Sequence, residues 1–567
     1  MVSVLIIMNT YIVALNDGVD YDAFWNEIEN VSPDDGFVPS RRVDIVNSRD
    51  AFKRLCEYSL TEEEAEQLKN DPRVAAVERP VRDLPFVKIV HDATPQNKNF
   101  NKTTSSTGAE VNWGLVRHSN TSNVYGTGTT TSLKYTYDLD GTGVDVVIND
   151  SGIQTGHPEF TGRLNQTGVN WNTLSPNYSD NSYSDTNGHG THVASTVAGK
   201  TYGWAKGANI LSLKYADTNT SGDALDCFEA LILWHSNKTN GRPTVMNMSW
   251  GYGLVYSDLV NSGFRLSGGR YQGNTWTGST LNDYLSRGLL ISNEAGIITI
   301  PEGVLPYSSA AYDIALAEVI NAGIIAVRAA GNNGHKIDVS NGPDYNNYFV
   351  TTPASTQWYY HRGASPTDPR AIVVGNLNSV VHSNGKDQRS DYYGSNAGPR
   401  VDIWAAGTDI LAACSNTNIM SAQPYQHGTS SENAQYKQVN ISGTSMAAPQ
   451  VTGIIALRLQ QQPLANIKAS TNCETVKSWL IENSLKNQIQ DVGTPTSYTE
   501  LKSLLGGPNR IAYINPVTPS KSYIKDNTNT WRQARAVYVK DTDGTWKQAK
   551  TGWKKNEAGN WDKIYES

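Results

Sequence analysis

Short apolar runs alternate with segments of helical periodicity through most of this 567-residue chain. Alternation of this kind predicts βαβ units, and therefore an α/β fold of three layers in which helices cover both faces of a mostly parallel sheet. The predicted strands are 144–149, 209–214, 245–249, 323–330 and 371–375, and the predicted helices are 192–198, 224–234 and 310–322.

The N-terminal pattern is that of a separate, small α+β unit. One of its helices begins at Thr61, since Thr61 as N-cap and Glu64 three residues later are the sequence signature of a capping box. Pro72 ends that helix. The predicted elements of this unit, residues 1–88, are a strand from residue 11, helices at 20–29 and 61–70, and a short edge strand at 74–78.

Residues 89–111 have the composition of an exposed linker. Asparagine, threonine and serine dominate 97–107, as is typical of loops. Exposed polar segments are preferred sites of proteolytic cleavage, so a processing site is expected here.

The C-terminal segment, residues 516–567, contains a threefold repeat. Trp531, Trp546 and Trp561 recur at one fixed spacing, and Asp543-Gly544 before the second tryptophan is a hairpin turn signal. The repeat predicts a small module of three short β units.

Composition narrows the function classes only slightly. The chain is 38% hydrophobic and 18% charged, in the range of folded proteins. Its net charge of −7 argues against a nucleic-acid partner, because phosphate binding needs clustered lysine and arginine. No stretch reaches the ~20 apolar residues that span a bilayer, so no membrane partner is predicted. The apolar N-terminus lacks the basic region and cleavage site of a secretory signal, so no signal peptide is expected.

The cysteines are far apart in the sequence and form no C-x-x-C pair. Free thiols are therefore expected rather than a disulfide framework or a metal knuckle. The four cysteines are Cys56, Cys227, Cys414 and Cys473.

Three local motifs carry candidate chemistry. Asp150, in Asp-Ser-Gly, follows a predicted strand, so its carboxylate is expected at the carboxyl edge of the sheet, where α/β active sites lie. His189, in Asn-Gly-His-Gly-Thr-His, is flanked by small residues, and a helix is predicted to begin just after it. Ser445, in Ser-Gly-Thr-Ser-Met-Ala-Ala-Pro, lies at the start of a helix, whose N–H groups point at whatever the serine attacks. Asp, His and Ser in this order predict a catalytic triad.

The chain resembles the subtilisin-like serine proteases, and within them the proteinase K branch. The resemblance covers roughly residues 112–465 of a catalytic domain predicted at 112–515. Besides the motif around Ser445, the segments that carry it are 150–160, 188–194 followed by 201–208, and 401–411.

The resemblance implies a role for each matching residue. Ser445 would be the nucleophile, His189 the general base and then acid, and Asp150 the residue that orients His189. The side-chain amide of Asn332 and the backbone N–H of Ser445 would form the oxyanion hole.

A polypeptide substrate would add to the cleft as an extended strand, which suggests broad specificity with an apolar or aromatic preference. His157 and His192, which lie in the same motifs, are interpreted as structural. The residues implied in substrate binding are Ser249, Trp250, Gly251, Ala330 and Gly331.

Two insertions depart from the family pattern, at about 252–309 and 415–438. The first follows directly on the Ser249 segment, so it is expected beside the cleft, where it would cover the cleft, narrow specificity or contact a partner. Calcium is frequent in this family, but no ligand set can be matched here, so no metal is assigned and no cofactor is required.

Residues 1–88 resemble the inhibitor-type propeptide of these proteases. The resemblance implies that this propeptide docks on its own enzyme with its C-terminal strand in the cleft, and that cleavage falls between about Asp83 and Asn112. The predicted function is therefore a serine endopeptidase made as a self-inhibited precursor.

A second function stays open. The tryptophan repeat resembles short aromatic modules at the ends of phage structural proteins. Together with the expected lack of an export signal, this resemblance suggests a virus-borne protease in a host cytoplasm or a viral particle. The alternative is a virion-associated structural or binding protein that retains the fold with its propeptide uncleaved, and that contacts viral structural proteins through the repeat. The repeat is equally consistent with a β appendage that only packs on the protease.

Overall fold

The structure is a computed structural model of the chain. The chain divides into two compact units, one of Met1–Tyr135 and Asp140–Ile514 and the other of Thr136–Leu139 and Asn515–Ser567. The described residues are 7–30, 36–90, 94–95, 103–104, 112–125, 132–133, 135–164, 171–175, 178, 184–215, 223–278, 283, 286–289, 292–294, 297–299, 304–352, 356–364, 368–390, 394–420, 422–426, 429–491, 503–516, 523–525, 531–533, 538–540, 546–548, 551–555 and 561–566.

The N-terminal part of the first unit is a four-stranded antiparallel sheet with two helices. Its elements are β1 Asn9–Leu15, α1 Tyr21–Glu29, β2 Asp44–Ser48, β3 Leu55–Leu60, α2 Glu62–Leu68 and β4 Val74–Glu78. The strand order is β2-β3-β1-β4, so β4 is an edge strand as predicted. Alternate residues of the sheet pack with α1 around Phe24 and Ile28. The predicted capping box is confirmed, because Glu64 N–H donates to Thr61 Oγ1 (3.1 Å) and Thr61 N–H donates to Glu64 Oε2 (2.8 Å).

The rest of the first unit is built around an eight-stranded sheet. Its helices are α3 Gly114–Arg117, α4 Trp171–Leu174, α5 His189–Ala198, α6 Ala224–Asn237, α7 Tyr256–Asn261, α8 Ala310–Asn321, α9 Ser430–Gln435, α10 Thr444–Gln461 and α11 Asn472–Glu482. Its strands are β5 Val87–Val90, β6 Thr94–Pro95, β7 Thr103–Thr104, β8 Ser132–Leu133, β9 Asp145–Asp150, β10 Asn209–Lys214, β11 Thr244–Met248, β12 Gly251–Val255, β13 Arg265–Tyr271, β14 Asn274–Thr277, β15 Ser292–Glu294, β16 Ile297–Thr299, β17 Val304–Tyr307, β18 Ile325–Ala329, β19 Tyr348–Thr352, β20 Thr356–Tyr359, β21 Ile372–Leu377, β22 Asp387–Gln388, β23 Ile403–Ala406, β24 Ile410–Cys414, β25 Gln423–Pro424, β26 Lys437–Ser442, β27 Leu485–Lys486, β28 Ile489–Gln490 and β29 Arg510–Ile511.

The predicted α/β architecture is confirmed. The large sheet has the order β10-β9-β11-β18-β21-β23-β29-β27. Every neighbouring pair is parallel except β29 and β27. The strands β9, β11 and β18 are buried along their whole length, as expected of strands covered on both faces. Helix α10 packs along β11, β18, β21 and β23, and α8 and α11 pack on β18.

The first unit also contains three smaller antiparallel sheets, together with the two-stranded pairs β7-β8, β15-β16 and β22-β28. The orders of the three sheets are β17-β12-β5, β14-β13-β19-β20, and β24-β26-β25 with β6 also paired to β26. The boundary predicted at residue 88 lies inside β5, and most of the predicted linker lies outside the described residues. The four cysteines are buried free thiols, as predicted. Within the described part of the chain, no helix has both the length and the apolar character needed to cross a bilayer.

The second unit contains the tryptophan repeat. Its strands are β30 Tyr523–Lys525, β31 Trp531–Gln533, β32 Tyr538–Lys540, β33 Trp546–Gln548, β34 Thr551–Lys555 and β35 Trp561–Glu566. They form three antiparallel pairs, β30 with β31, β32 with β33 and β34 with β35. Each of the three repeats therefore supplies one two-stranded β unit. The predicted Asp543-Gly544 turn lies outside the described residues.

Candidate active site

The candidate catalytic residues lie at the carboxyl ends of adjacent parallel strands. Asp150 is the last residue of β9, Ser249 follows β11, and Asn332 follows β18 by three residues. After β9 the chain first forms β10 on one side and then β11 on the other, so the strand order reverses at β9. Binding sites of open α/β sheets lie at such a reversal, outside the carboxyl ends of the strands.

Asp150 and His189 form a direct hydrogen bond. His189 Nδ1 lies 2.7 Å from Asp150 Oδ1, and both side chains are fully buried. The backbone N–H of Ser151 also donates to Asp150 Oδ1 (2.8 Å). Because an ionised carboxylate only accepts hydrogen bonds, this contact assigns the proton to Nδ1 and leaves the basic lone pair on Nε2.

His189 is the first residue of α5, whereas the sequence predicted that the helix begins just after it. The reason is Gly188, which is the N-cap with a φ of +93°, a conformation that favours glycine. Gly190 allows a close backbone approach, since a Cβ there would lie 2.1 Å from the oxygen of Gly152. The small residues on either side of His189 therefore let α5 start against the loop that follows Asp150.

Asp185, which no sequence motif marks, joins these two segments. Its Oδ1 accepts from Ser151 Oγ (2.9 Å) and from Gly188 N–H (2.8 Å). Its Oδ2 accepts from the N–H (2.9 Å) and the hydroxyl (2.6 Å) of Thr191. Burial raises the pKa of Asp185, and its hydrogen bonds oppose that shift. A polar residue four positions before His189 is the only signal that could have indicated this role.

Ser445 is the second residue of α10, so its backbone N–H belongs to the first helical turn, which has no partner inside the helix. Its hydroxyl donates to the backbone oxygen of Ser249 (2.8 Å). In return, Ser249 Oγ donates to the backbone oxygen of Ser445 (2.8 Å). This pair of bonds fixes the start of α10 against the carboxyl end of β11.

Thr444, the residue before Ser445, holds Asn332 in position. The side-chain oxygen of Asn332 accepts from Thr444 N–H (2.8 Å), and Thr444 Oγ1 accepts from Gly331 N–H (3.0 Å). Because its oxygen is occupied, the amide of Asn332 presents its NH₂ group away from Thr444. The two predicted oxyanion donors therefore lie on segments that are directly bonded to each other.

A cleft next to Ser445 collects most of the residues predicted to bind substrate. Ala330 is not among its lining residues, because its N–H donates to Val374 (3.0 Å) and its oxygen accepts from Asn396 (2.9 Å). Trp250 is anchored, since its Nε1 donates to Asn149 Oδ1 (3.1 Å). The residues lining the cleft are Val90, Ser249, Trp250, Gly251, Tyr252, Gly253, Val304, Pro306, Ala329, Gly331, Asn333, Ala364, Asn396 and Ser445.

The chain's own β5 occupies the strand position beside this cleft. It pairs antiparallel with β12, from Val87 opposite Leu254 to Val90 opposite Gly251. Farther along, β6 pairs with β26 at Ile441 and Ser442, just before Ser445. Residues 91–93, which join β5 to β6, lie outside the described residues.

The insertion at 252–309 supplies β12 and β17, and residues of both line the cleft, so the prediction that it lies beside the cleft is confirmed. The insertion at 415–438 contains β25 and α9. Tyr425 of that second insertion packs its ring against His157 at 4.8 Å.

The other two histidines of the motifs are bonded inside the fold. His192 Nε2 lies 2.9 Å from Ile410 O, and His157 Nε2 lies 3.0 Å from Lys437 O. Burial lowers the pKa of His192 to about 3, so it stays neutral. Both agree with a structural interpretation. Within the described ranges, no group of three or more histidine, cysteine or acidic residues could hold a metal ion, and calcium stays unassigned.

Comparison with known proteins places the matched region over this site. Residues 141–506 match the model of the subtilase family, Peptidase_S8. An extracellular serine proteinase of Thermus sp. strain Rt41A is 30% identical over 332 residues, which are 59% of this chain and 54% of that protein. Subtilisin-like protease 2 of Pseudogymnoascus destructans is 28% identical over 80% of both chains. A crystal structure of a cold-adapted subtilisin-like serine proteinase aligns with 71% of this chain and 98% of its own, at 24% identity and a TM-score of 0.41.

Proposed function

The chain belongs to the subtilase family of serine proteases, and from that premise we propose that it is an endopeptidase that works through an acyl-serine intermediate. The proposed triad is Ser445, His189 and Asp150. The observation that carries the proposal is the 2.7 Å bond from His189 to Asp150 at the sheet edge where α10 presents Ser445.

In the proposed reaction, Ser445 Oγ exchanges its bond to Ser249 for one to His189 Nε2. As Oγ bonds to the substrate carbonyl carbon, its proton passes to Nε2, and Asp150 stabilises the imidazolium. The negative charge that forms on the carbonyl oxygen accepts from Asn332 and from the Ser445 N–H. His189 then returns the proton to the leaving amine as the C–N bond breaks. In the second half of the reaction, His189 accepts a proton from water as the water oxygen bonds to the acyl carbon. It then returns that proton to Ser445 Oγ as the ester bond breaks.

We propose that the polypeptide substrate binds as an added strand on β12, as β5 does in this structure. Backbone N–H and C=O groups are the same in every peptide, so pairing of this kind supports binding without strong sequence selection. Ser249, Trp250, Gly251 and Gly331 would line the first specificity pocket.

The same pairing supports a self-inhibited precursor, in which residues 1–88 and the strand that follows block the cleft. The chain enters beside Gly251 through Val90 and continues at Thr94 beside Ser442. We therefore place the processing bond between Val90 and Thr94, inside the wider range expected from the sequence.

The first experiment labels the purified protein with a fluorophosphonate probe. Wild type should be labelled, Ser445→Ala should not, and the exposed-serine control Ser470→Ala should be labelled like wild type. Equal labelling of wild type and Ser445→Ala would contradict the assignment of Ser445 as the nucleophile.

Intact-mass measurement tests the precursor. Wild type should lose a fragment that ends between residues 90 and 94, while Ser445→Ala should keep its full mass. Trimming of Ser445→Ala at the same bond would show that another protease processes the chain.

The occupied cleft also favours a second candidate. A virion-associated structural protein with an uncleaved propeptide would keep β5 in place permanently, contact viral structural proteins through the repeat, and remain in the host cytoplasm or the particle. An intact wild-type mass together with no probe labelling would support this candidate over the first.

A further inference from the structure

The strand that receives β5 extends well past the Ser249–Gly251 segment. Pairing continues through Val87 opposite Leu254, and Val255 N–H then donates to Phe86 O (2.8 Å). β12 therefore supplies backbone partners for the five residues from Phe86 to Val90.

Phe86, at the far end of this strand, packs its ring between two aromatic side chains. Its centroid lies 5.9 Å from that of Phe264 at an interplanar angle of 71°. It lies 5.5 Å from the centroid of Trp358 at 88°. Both contacts are edge-to-face, the geometry that aromatic quadrupoles prefer, and an aliphatic side chain would make neither.

Contacts with the rest of the fold also hold these two partners in position. Trp358 on β20 is 8% exposed, and its Nε1 donates to Thr351 Oγ1 (2.9 Å). Phe264 follows α7, and its N–H donates to Leu259 O (3.1 Å). β19 joins β20 to β13, which begins at Arg265, directly after Phe264. The sheet β14-β13-β19-β20 therefore supports both Phe264 and Trp358.

An ion pair along this strand, between Lys88 and Asp258, adds little selection. Lys88 pairs with Asp258 of α7, but the two side chains are 55% and 32% exposed. Exposed ion pairs contribute little to binding because water and salt screen them. Of these two contacts, the aromatic one therefore contributes more to recognition at this end of the cleft.

We propose that Phe264 and Trp358 form an aromatic subsite for extended peptides, distant from the bond that is cut. It takes the side chain of a phenylalanine, tyrosine or tryptophan four residues before the residue that pairs with Gly251. In the precursor Phe86 fills it, and after processing a substrate fills it. This inference rests on the proposed endopeptidase function.

The first test follows amide hydrogen exchange in the full chain carrying Ser445→Ala, which keeps β5 in place. Phe86→Ala and Phe264→Ala should each speed exchange of the amides at 87–90 roughly tenfold. Adding Phe264→Ala to Phe86→Ala should speed exchange little further, because the contact between these two rings is already lost. Tyr348→Ala, on the same sheet but packed on Tyr359, should change nothing. Additive effects, or no effect, would overturn the subsite.

The second test adds seven-residue peptides of sequence 84–90, with Phe or Ala at the position of residue 86, as inhibitors of peptide cleavage by the wild-type protein. The Phe peptide should inhibit at a roughly tenfold lower concentration, and Phe264→Ala should lose that preference. Equal inhibition by both peptides in wild type would overturn the proposal. Fluorophosphonate titration of the same sample counts active sites, so failure of the endopeptidase function is seen separately; in that case the exchange measurement alone decides the subsite.

Discussion

At the scale of single residues, the orientation of the Asn332 side chain is set by its neighbours in the fold. Its oxygen accepts from Thr444 N–H, so the amide is oriented before a substrate arrives. Gly331 must be a glycine here, since its φ is +94° and a Cβ would lie 2.5 Å from Asn396 Nδ2. Orientation of this kind lets a donor act on a developing charge without reorganising during the reaction.

Asn332→Ala should therefore lower kcat by about 10²–10³ while KM changes little, because the lost bond forms only in the transition state. Steady-state kinetics on a peptide substrate measure this. Asn333→Ala, which removes the neighbouring side chain, is the matched control and should retain most of the activity. Equal losses in the two variants would assign Asn332 to structure rather than to the oxyanion.

At the scale of elements, the N-terminal part is docked through helix ends. Glu78, the last residue of β4, accepts from the N–H groups of Ala310 (3.0 Å) and Ala311 (3.3 Å), at the start of α8. Near α6, Arg49 reaches Asp226 (2.7 Å) and Glu57 (2.9 Å) with side chains almost fully buried. Helix N-termini attract negative charge, so Glu78 complements α8 in a way that a neutral side chain cannot.

Glu78→Gln should weaken this docking by about 1 kcal/mol, since it removes the charge at the helix N-terminus but keeps the size of the side chain. In the Ser445→Ala chain, this should appear as roughly fivefold faster hydrogen exchange across 74–90. Glu66→Gln, on the exposed face of α2, should leave exchange unchanged. Unchanged exchange in Glu78→Gln would mean that α8 does not contribute to docking through its charge.

At the scale of the whole molecule, buried histidines make the folded state sensitive to acid. His118 Nδ1 lies 2.7 Å from Ala512 O, and Nε2 accepts from Ala406 N–H (2.9 Å), so the ring has no place for a second proton. Burial lowers the pKa of His118 and His335 to about 3 and that of His235 to about 4. Burial raises the pKa of Asp226 to about 6. This single shift raises the free energy of unfolding on acidification, opposite to the effect of the histidines.

The unfolded chain binds protons at these histidines below about pH 6.5, and the folded chain does not until pH 3 to 4. The free energy of unfolding should therefore fall on acidification, by about 1.4 kcal/mol per pH unit for each histidine. Urea unfolding at pH 7.5 and pH 5 measures the slope. His118→Asn should reduce this slope by about one proton. A stability that does not change between these pH values would contradict this account.

The sequence by itself determined the α/β alternation, the capping box at Thr61 and the three motifs around Asp150, His189 and Ser445. Each depends on residues close together in the chain, where apolar periodicity and local hydrogen bonds leave a readable pattern. The start of α5 was predicted wrongly because a left-handed glycine N-cap has no strong local signal.

Only the tertiary structure determined which residues surround the three motifs. Asp185 joins Ser151 to Thr191 across the sheet edge, β5 lies along β12, and Phe86 lies between Phe264 and Trp358. These contacts join residues far apart in the chain, and strand pairing uses backbone groups that every residue carries. Their partners are set by the order and register of strands, which the pattern along one segment does not contain.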